Sequence, residues 1–209
     1  MSLDSSGGYR WLDSYVMAGI IQLATLDFCE RFLNLRNDPC GRQFDQMTQA
    51  ARSGKMNIIE GSERAATSKE TEMKLTDVAK ASLGELRGDY ETWLLRRRSL
   101  PWRRDSHEAQ EIFSFRLDKP QYGDDVAYDS VAHLLQQSRR LSAWLEHEDS
   151  LVVARALIIL IGRTINMLEH QVKWQHQRFV QEGGFREQLS PASGSAQPAA
   201  ERAFLPALR

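Results

Sequence analysis

Residues 53–93 read SGKMNIIEGSERAATSKETEMKLTDVAKASLGELRGDYETW, a pattern that predicts the end of one helix, a tight turn and a longer second helix. Gly61 follows apolar residues at helical spacing and can adopt the left-handed conformation that ends many helices. Thr67, followed three residues later by Glu70, is typical of a capping box that begins the next helix. The stretch therefore predicts a helical hairpin that turns directly after Gly61.

Glu60 stands in the last turn of the first predicted helix, where the helix dipole disfavours a negative charge by roughly a few tenths of a kcal/mol. A basic partner would offset this cost. Arg64 can supply it from the same helix, or Arg52 and Lys55 from a neighbouring turn or subunit. The alternative is that Glu60 is simply solvated.

The composition is that of a folded domain. The chain has 209 residues, of which 42% are hydrophobic and 26% charged, enough for one domain with a real core. Its longest apolar run, residues 151–161, is interrupted by Arg155 and is shorter than the roughly 20 residues of a membrane span. The N-terminus has no secretory signal pattern. These features predict a cytoplasmic protein without a membrane partner, and Cys29 and Cys40 are predicted to be free thiols.

Helical periodicity extends over most of the chain. It predicts four long helices, at about 16–33, 40–60, 68–98 and 150–180. An insertion at 100–149 holds a predicted short helix at 106–116 and an amphipathic helix at 126–146. The last long helix is apolar on two faces, which indicates burial either against the insertion or against a second subunit. The Ser-, Ala- and Pro-rich tail at 190–209 is predicted to be disordered.

The hairpin carries a resemblance to a known family. It resembles the helical proteins encoded by intervening sequences of bacterial 23S ribosomal RNA genes, sometimes labelled ribosomal protein S23. The family pattern is matched by Asn57, Ile58, Glu60, Gly61, Ser68, Lys69, Glu70, Ala79, Ser82, Glu85 and Leu86. Ile59 replaces the usual alanine, and Gly84 and Gly88 interrupt the third helix. Residues 179–189 are similar to a C-terminal suffix found in a longer branch of the family.

The resemblance implies an all-α fold, an antiparallel up-and-down four-helix bundle, here with a helical insertion between the third and last long helices. The bundle domain would span 1–189. Several family members are homopentamers with a basic channel or face, and one branch serves as the accessory protein of diversity-generating retroelements, beside a reverse transcriptase and nucleic acid. The resemblance implies no cofactor and no catalytic residues. It points to Asn57, Glu60, Gly61 and Glu85 as residues that determine fold or assembly, with the two glutamates in a polar network.

Charge is segregated along the chain. Residues 42–104 hold 13 Lys and Arg against 9 Asp and Glu, whereas residues 105–150 hold 4 against 10. Arginine binds phosphate in a bidentate manner and tryptophan stacks on bases, which is worth roughly 1–3 kcal/mol per base. The predicted nucleic-acid-binding residues are therefore Arg96, Arg97, Arg98, Trp102, Arg103 and Arg104, with Arg42, Arg52 and Lys55 on the second helix as further candidates.

A purely structural interpretation of the cluster stays open. Cations at a helix C-terminus are stabilised by the dipole, and Trp102, which follows a proline, can anchor a loop. The acidic insertion could also neutralise the arginines within the same chain.

Sequence motifs argue against catalysis. The chain contains no Glu-x-x-His pair of a di-iron site, no His-Glu-x-x-His zinc motif, no nucleophile elbow and no phosphate-binding loop. Two hypotheses follow. The first is a non-catalytic homo-oligomer that binds RNA, DNA or a nucleic-acid-processing partner through its arginines. The second is a structural protein-interaction module without nucleic-acid binding, or the accessory protein of a retroelement reverse transcriptase.

Overall fold

The computed structural model describes residues 8–181, and for residues 178–181 it describes the backbone alone. The predicted disordered tail at 190–209 lies outside the described residues. So does the predicted suffix from residue 182 onward.

The described part of the chain is all-helical and has no strand, which confirms the predicted all-α class. A short 3-10 helix, Gly8–Trp11, comes first. Seven α-helices follow: α1 Asp13–Phe32, α2 Arg42–Arg64, α3 Lys69–Arg96, α4 His107–Ser114, α5 Val126–Arg139, α6 Ser142–Leu145 and α7 Ser150–Gln181.

The prediction that Gly61 ends a helix by a left-handed turn is wrong. Helix α2 continues through Gly61 to Arg64, and among the described residues only Gly41 and Arg98 have a positive φ. Gly61 is buried against α3, where a Cβ atom would lie 3.4 Å from both the Glu72 carbonyl oxygen and the Leu75 Cβ. Gly61 therefore lies within the close contact of α2 with α3 and does not end the helix.

The predicted cap at Thr67 is also wrong, by one residue. Ser68 is the N-cap of α3, and its Oγ accepts hydrogen bonds from the Thr71 backbone N–H at 3.2 Å and the Thr71 hydroxyl at 2.9 Å. The Thr67 hydroxyl instead donates to the Arg64 carbonyl at 3.1 Å. Because both helix ends leave backbone groups unpaired, the two adjacent hydroxyl residues divide the task, one for each helix.

Helices α2 and α3 run antiparallel and in close contact. Gln43 at the start of α2 meets Arg96 at the end of α3, and the Ser53 and Ser82 hydroxyls are 2.9 Å apart midway. Asn57 adds to this polar contact by donating to the Ser53 carbonyl at 2.8 Å and to its hydroxyl at 3.1 Å. The small residues Ser53 and Gly54 of α2 thus face its hairpin partner.

The four long helices share one hydrophobic core, because α1 and α3 each pack against both α2 and α7. Phe28 of α1 is fully buried in this core, in edge-to-face contact with Tyr90 and Trp93 of α3 at ring-centroid distances of 5.0 and 5.1 Å. The buried Tyr90 hydroxyl donates to Thr25 at 3.1 Å. Such aromatic pairs add roughly 0.5–1.5 kcal/mol beyond their buried area.

The insertion covers part of the long helices. Helices α4 and α6 pack on α7, and α5 packs on α1. Arg163 of α7 donates to the carbonyls of Ile112 and Phe115, both at 2.7 Å. It thus provides hydrogen-bond donors for carbonyl groups at the C-terminal end of α4, which have no partner within the helix. Two partners were considered for the second apolar face of α7, the insertion and a second subunit. The structure shows that the insertion packs on α7 within the same chain. The helix predicted at 126–146 is interrupted after Arg139 and resumes as α6.

The thiols and the apolar last helix were also subjects of sequence predictions. Cys29 is buried and Cys40 exposed, and both are free, as predicted. One segment, Ser150–Gln177, has the length and the mean hydropathy, 1.9, of a helix that could cross a membrane. Half of that window, 50%, is buried inside the fold, as is common for a core helix, so the segment is only weak evidence for a membrane span.

The contrast between Gly54 and Gly84 tests the α2–α3 contact. A Cβ on Gly54 would lie 2.9 Å from two atoms of the buried Leu83, whereas one on Gly84 would meet nothing within 4 Å. We expect Gly84→Ala to raise the free energy of unfolding by about 0.5–1 kcal/mol, because alanine restricts the unfolded chain and favours the helix. Gly54→Ala should lower it, because overpacking costs about 1–3 kcal/mol and offsets the same gain.

Chemical denaturation followed by circular dichroism measures both variants. Equal stabilisation by the two substitutions would contradict the close approach at Gly54.

Candidate nucleic-acid interface

Several predicted binding residues meet at one end of the fold. Arg96 Nη1 contacts Gln43 Oε1 at 3.5 Å, which places the start of α2, with Arg42, beside the end of α3. The loop after α3 is held to the start of α7, where Arg155 donates to the Leu100 carbonyl at 2.9 Å. We call this region the arginine end, and its members are Arg42, Arg96, Arg98, Arg103 and Arg104, all exposed.

Arg98 adopts an unusual backbone conformation. Its φ is +53°, the left-handed region that glycine normally occupies after a helix. The Arg98 N–H donates to the Leu95 carbonyl at 2.9 Å, and the Ser99 N–H donates to the Leu94 carbonyl at 3.0 Å. These two bonds form a Schellman motif with an arginine at its glycine position, which leaves the Arg98 side chain exposed at the end of α3.

Arg97 is exposed, but its guanidinium is engaged by Trp93. Its guanidinium lies over the Trp93 ring, 3.2 Å from the centroid, and donates to the Trp93 carbonyl at 3.3 Å. Burial, and to a lesser degree the charge of Arg96, lower the pKa of Arg97. A guanidinium engaged in this way is less available to phosphate than its neighbours.

Trp102 is half-buried and packs edge-to-face against Trp144 of the insertion, with 5.4 Å between ring centroids. The Arg155 guanidinium lies 6.0 Å from the Trp102 ring centroid. Arg155 also donates to the Ser99 hydroxyl at 2.6 Å. Trp102 is thus a loop anchor that fixes the position of the two arginines after it.

Arg103 and Arg104 lie on the surface beyond this anchor. Arg103 pairs with Asp105 at 3.1 Å, with both side chains largely in solvent. The Arg104 guanidinium lies 5.9 Å from the Phe113 ring centroid, and its carbonyl accepts from Gln110 at 2.6 Å. Arg103, Arg104, Asp105 and Gln110 line a shallow surface depression of about 530 Å³.

The acidic insertion leaves most of the arginine end uncompensated. Of the arginine-end residues, Arg103 alone has a carboxylate within 4.0 Å among the residues that the structure describes. Asp118 of the insertion pairs with Arg140 instead, at 2.9 Å. Backbone hydrogen bonds from the start of α2 lower the pKa of Asp38, and Arg96 contributes a smaller effect.

Arg52 and Lys55 lie elsewhere on α2. Arg52 is exposed and is ten residues from Arg42, about 15 Å along a helix. Lys55 is half-buried, with its Nζ 5.5 Å from the Tyr15 ring centroid. Burial, and secondarily Arg10, lower the pKa of Lys55. These two cations are therefore not part of the arginine end.

The predicted assembly residues have different surroundings. Asn57 belongs to the α2–α3 contact and Gly61 to its close approach, as described above. Glu60 has the predicted partner Arg64, but the separation is 4.0 Å and both side chains are more than half exposed, so the pair contributes little to stability. Glu85 is exposed on α3. Neither glutamate belongs to a buried network within the described chain.

Residues that sequence reasoning missed hold this end together. Asp38 accepts from the backbone N–H groups of Gln43 at 3.1 Å and Phe44 at 2.9 Å, and thus caps the start of α2. An aspartate shortly before a predicted helix is the signal that could have revealed it. Arg155 carries no such signal, because its partners lie more than fifty residues earlier in the chain.

Comparisons of the chain with protein-family models, with curated proteins and with solved structures find no match. Within residues 8–181, no three His, Cys, Asp or Glu side chains are grouped so that they could hold a metal ion.

The left-handed conformation of Arg98 generates a stability prediction. We expect Arg98→Gly to raise the free energy of unfolding by about 1 kcal/mol, because a side chain in this region costs roughly 1–2 kcal/mol. The matched variant Arg96→Gly should lower it by up to about 1 kcal/mol, since Arg96 is helical. Thermal and denaturant unfolding measure both, and destabilisation by Arg98→Gly would contradict the Schellman geometry.

Asp89 gives a pH prediction. Burial, and secondarily the charge of Glu85, raise the pKa of Asp89 above its ordinary value of 3.8. The fold therefore favours the protonated form of Asp89. Protonation contributes its full stabilisation below the unfolded-state pKa, and this contribution is lost as the pH rises through the folded-state pKa. Asp89→Asn should accordingly gain stability relative to the unsubstituted protein as the pH rises from about 3 to 7.

Denaturation midpoints across this pH range provide the measurement. Glu85→Gln should weaken the same pH dependence, because it removes one of the two causes. A gain for Asp89→Asn that is constant with pH would contradict the assignment.

Proposed function

We propose that this protein is a non-catalytic, oligomeric helical-bundle protein that binds nucleic acid, or a nucleic-acid-processing partner, through the arginine end. One observation carries the proposal. Arg42, Arg96, Arg98 and Arg104 are exposed at the same end of the fold, and none has a carboxylate within 4.0 Å among the described residues.

Uncompensated guanidinium groups on a common surface suit phosphate. Each forms bidentate, charge-assisted hydrogen bonds to phosphate oxygens, and each contact releases counterions, so affinity falls steeply with salt. The overall charge of −1 does not oppose this, because binding depends on the local excess of cations. The half-buried position of Trp102 favours contacts to the backbone of the nucleic acid over stacking on its bases.

The proposed architecture is an antiparallel up-and-down four-helix bundle of the 23S rRNA intervening-sequence type. The mutual packing of α1, α2, α3 and α7 supports this arrangement, as does the antiparallel contact of α2 with α3. A cyclic homopentamer would place five copies of the arginine end around one axis and so create a ring of positive charge. Glu60 and Glu85, exposed in the single chain, are the proposed polar contacts between subunits.

One feature favours a protein-interaction module as a second candidate. Helix α5 exposes Tyr128, Val131 and Leu135 at spacings of three and four residues, with 71%, 53% and 42% of each residue accessible. These positions lie on one helix face, which suits an apolar partner surface. In this role the protein would act as a structural adaptor, for example as the accessory protein of a retroelement reverse transcriptase in the cytoplasm.

Charge reversal tests the first proposal. Arg42, Arg96, Arg98 and Arg104 are all changed to Glu, and binding of labelled RNA and duplex DNA is measured at several salt concentrations. We expect at least a tenfold loss of affinity and a shallower salt dependence, because phosphate contacts are removed. The matched control changes four exposed lysines and arginines elsewhere to Glu: Lys74, Lys119, Arg139 and Lys173.

The control has the same change in net charge and should retain affinity within threefold. Equal effects of the two sets would show that the arginine end is not the binding surface. Light scattering of the same samples gives the mass, which we expect near five times 23.9 kDa. A clean monomer would exclude the proposed pentamer.

A further inference from the structure

A cleft of about 550 Å³ opens at the end of the fold opposite the arginine end. It lies between the start of α1, the α2–α3 turn and the C-terminal part of α7, and its lining includes Trp11, Asp13, Glu72, Gln171, Trp174 and Gln175. Glu72 and Arg96 are separated by 24 residues of α3, about 36 Å along the helix. The cleft is therefore distinct from the proposed nucleic-acid surface.

Two buried polar side chains form a defined pair in this cleft. Glu72 is 9% exposed and Gln175 is 5% exposed, and Gln175 Nε2 donates to Glu72 Oε1 at 2.8 Å. Because an ionised carboxylate only accepts hydrogen bonds, this contact requires the amide NH₂ of Gln175 to face Glu72. The orientation of the Gln175 amide is thereby determined.

The other amide atom of Gln175 has no partner. Its Oε1 is buried without a hydrogen-bond donor among the residues that the structure describes. Buried polar atoms are nearly always paired in folded proteins, so an orphaned acceptor at a cleft calls for a donor beyond the described residues. Gln175 lines the cleft, which is the direction from which a ligand would bring an N–H or O–H group.

The other residues that line the cleft favour a positively charged donor. Lys69 Nζ lies 3.8 Å from Glu72 Oε2 and is the one cation within 4.0 Å of it in residues 8–177, and Asp13 adds an exposed carboxylate. Trp11 and Trp174 contribute indole rings, which attract cations through their faces and pack against apolar stems. The cleft thus combines indole surface with convergent polar groups, and such groups fix the orientation of a ligand in a small-molecule site.

We propose that this cleft binds an organic cation with a primary ammonium or guanidinium group. An N–H of the cation donates to Gln175 Oε1, its charge lies near Glu72 and Asp13, and its stem packs against the indoles of Trp11 and Trp174. The cation can be a free amine or a Lys or Arg side chain of a peptide. The inference does not depend on the proposed nucleic-acid binding.

Titration of the full chain with agmatine, followed by tryptophan fluorescence and calorimetry, tests the proposal. We expect saturable binding that weakens at least tenfold in Gln175→Met, which keeps the side-chain length and removes the acceptor. Glu72→Gln should weaken it similarly by removing the charge. The matched control Glu91→Gln, near the other end of α3, should bind agmatine as the unsubstituted protein does.

Two further probes separate the contributions. Tetramethylammonium has the charge but no N–H donor, so it should bind at least tenfold more weakly than agmatine. Arginine blocked at both ends represents a peptide side chain: its binding supports a peptide source, and binding of agmatine alone supports a free amine.

The proposal is overturned if agmatine does not bind saturably, or if Gln175→Met binds it as tightly as the unsubstituted protein. Circular dichroism confirms that each variant is folded. If Glu72→Gln does not fold, Gln175→Met and the tetramethylammonium comparison decide the outcome.

Discussion

The close approach of α2 to α3 is the contact on which the arrangement of both candidate sites depends. A Cβ atom on Gly54 would lie 2.9 Å from two atoms of the buried Leu83, and one on Gly61 would already touch α3 at van der Waals distance. With the helices at this distance, the hydroxyls of Ser53 and Ser82 can bond. The same contact brings the start of α2 beside the end of α3, and the α2–α3 turn beside the C-terminal part of α7.

Arginine has two distinct uses in this molecule. Arg97, Arg155 and Arg163 direct their donors to rings and backbone carbonyls, and so close helix ends and anchor the insertion. Their bidentate geometry suits paired carbonyls as well as it suits phosphate. Other arginines in the same sequence neighbourhood, such as Arg96 and Arg98, remain in solvent. The density of arginine along a chain therefore does not measure the charge that a ligand would meet.

The two ends of the long helices differ in their chemistry. One presents guanidinium groups at and beyond the end of α3. The other holds the Glu72 carboxylate at the start of α3 and the Gln175 amide of α7. The helix dipole favours both placements, with the negative Glu72 in the first turns and cations after the last. The two proposed ligands, a nucleic acid and an organic cation, would therefore occupy opposite ends of the fold.

The sequence by itself determined the class of fold. Apolar residues at helical spacing predicted all four long helices within a few residues of their observed bounds, because this period records burial directly. It also predicted free thiols and the presence of helices in the insertion. Local signals failed at Gly61 and Thr67, because a glycine can serve a turn or a close contact, and adjacent hydroxyls can cap either helix.

Only the tertiary structure decided which side chains meet. The Glu72–Gln175 pair joins residues 103 positions apart, and Trp102 packs on a tryptophan of the insertion. No periodicity or motif encodes such contacts, because they depend on the packing of helices that are distant in the chain. The same packing decided which guanidinium groups contact rings and backbone carbonyls of the fold, a distinction that the spacing of the arginines could not reveal.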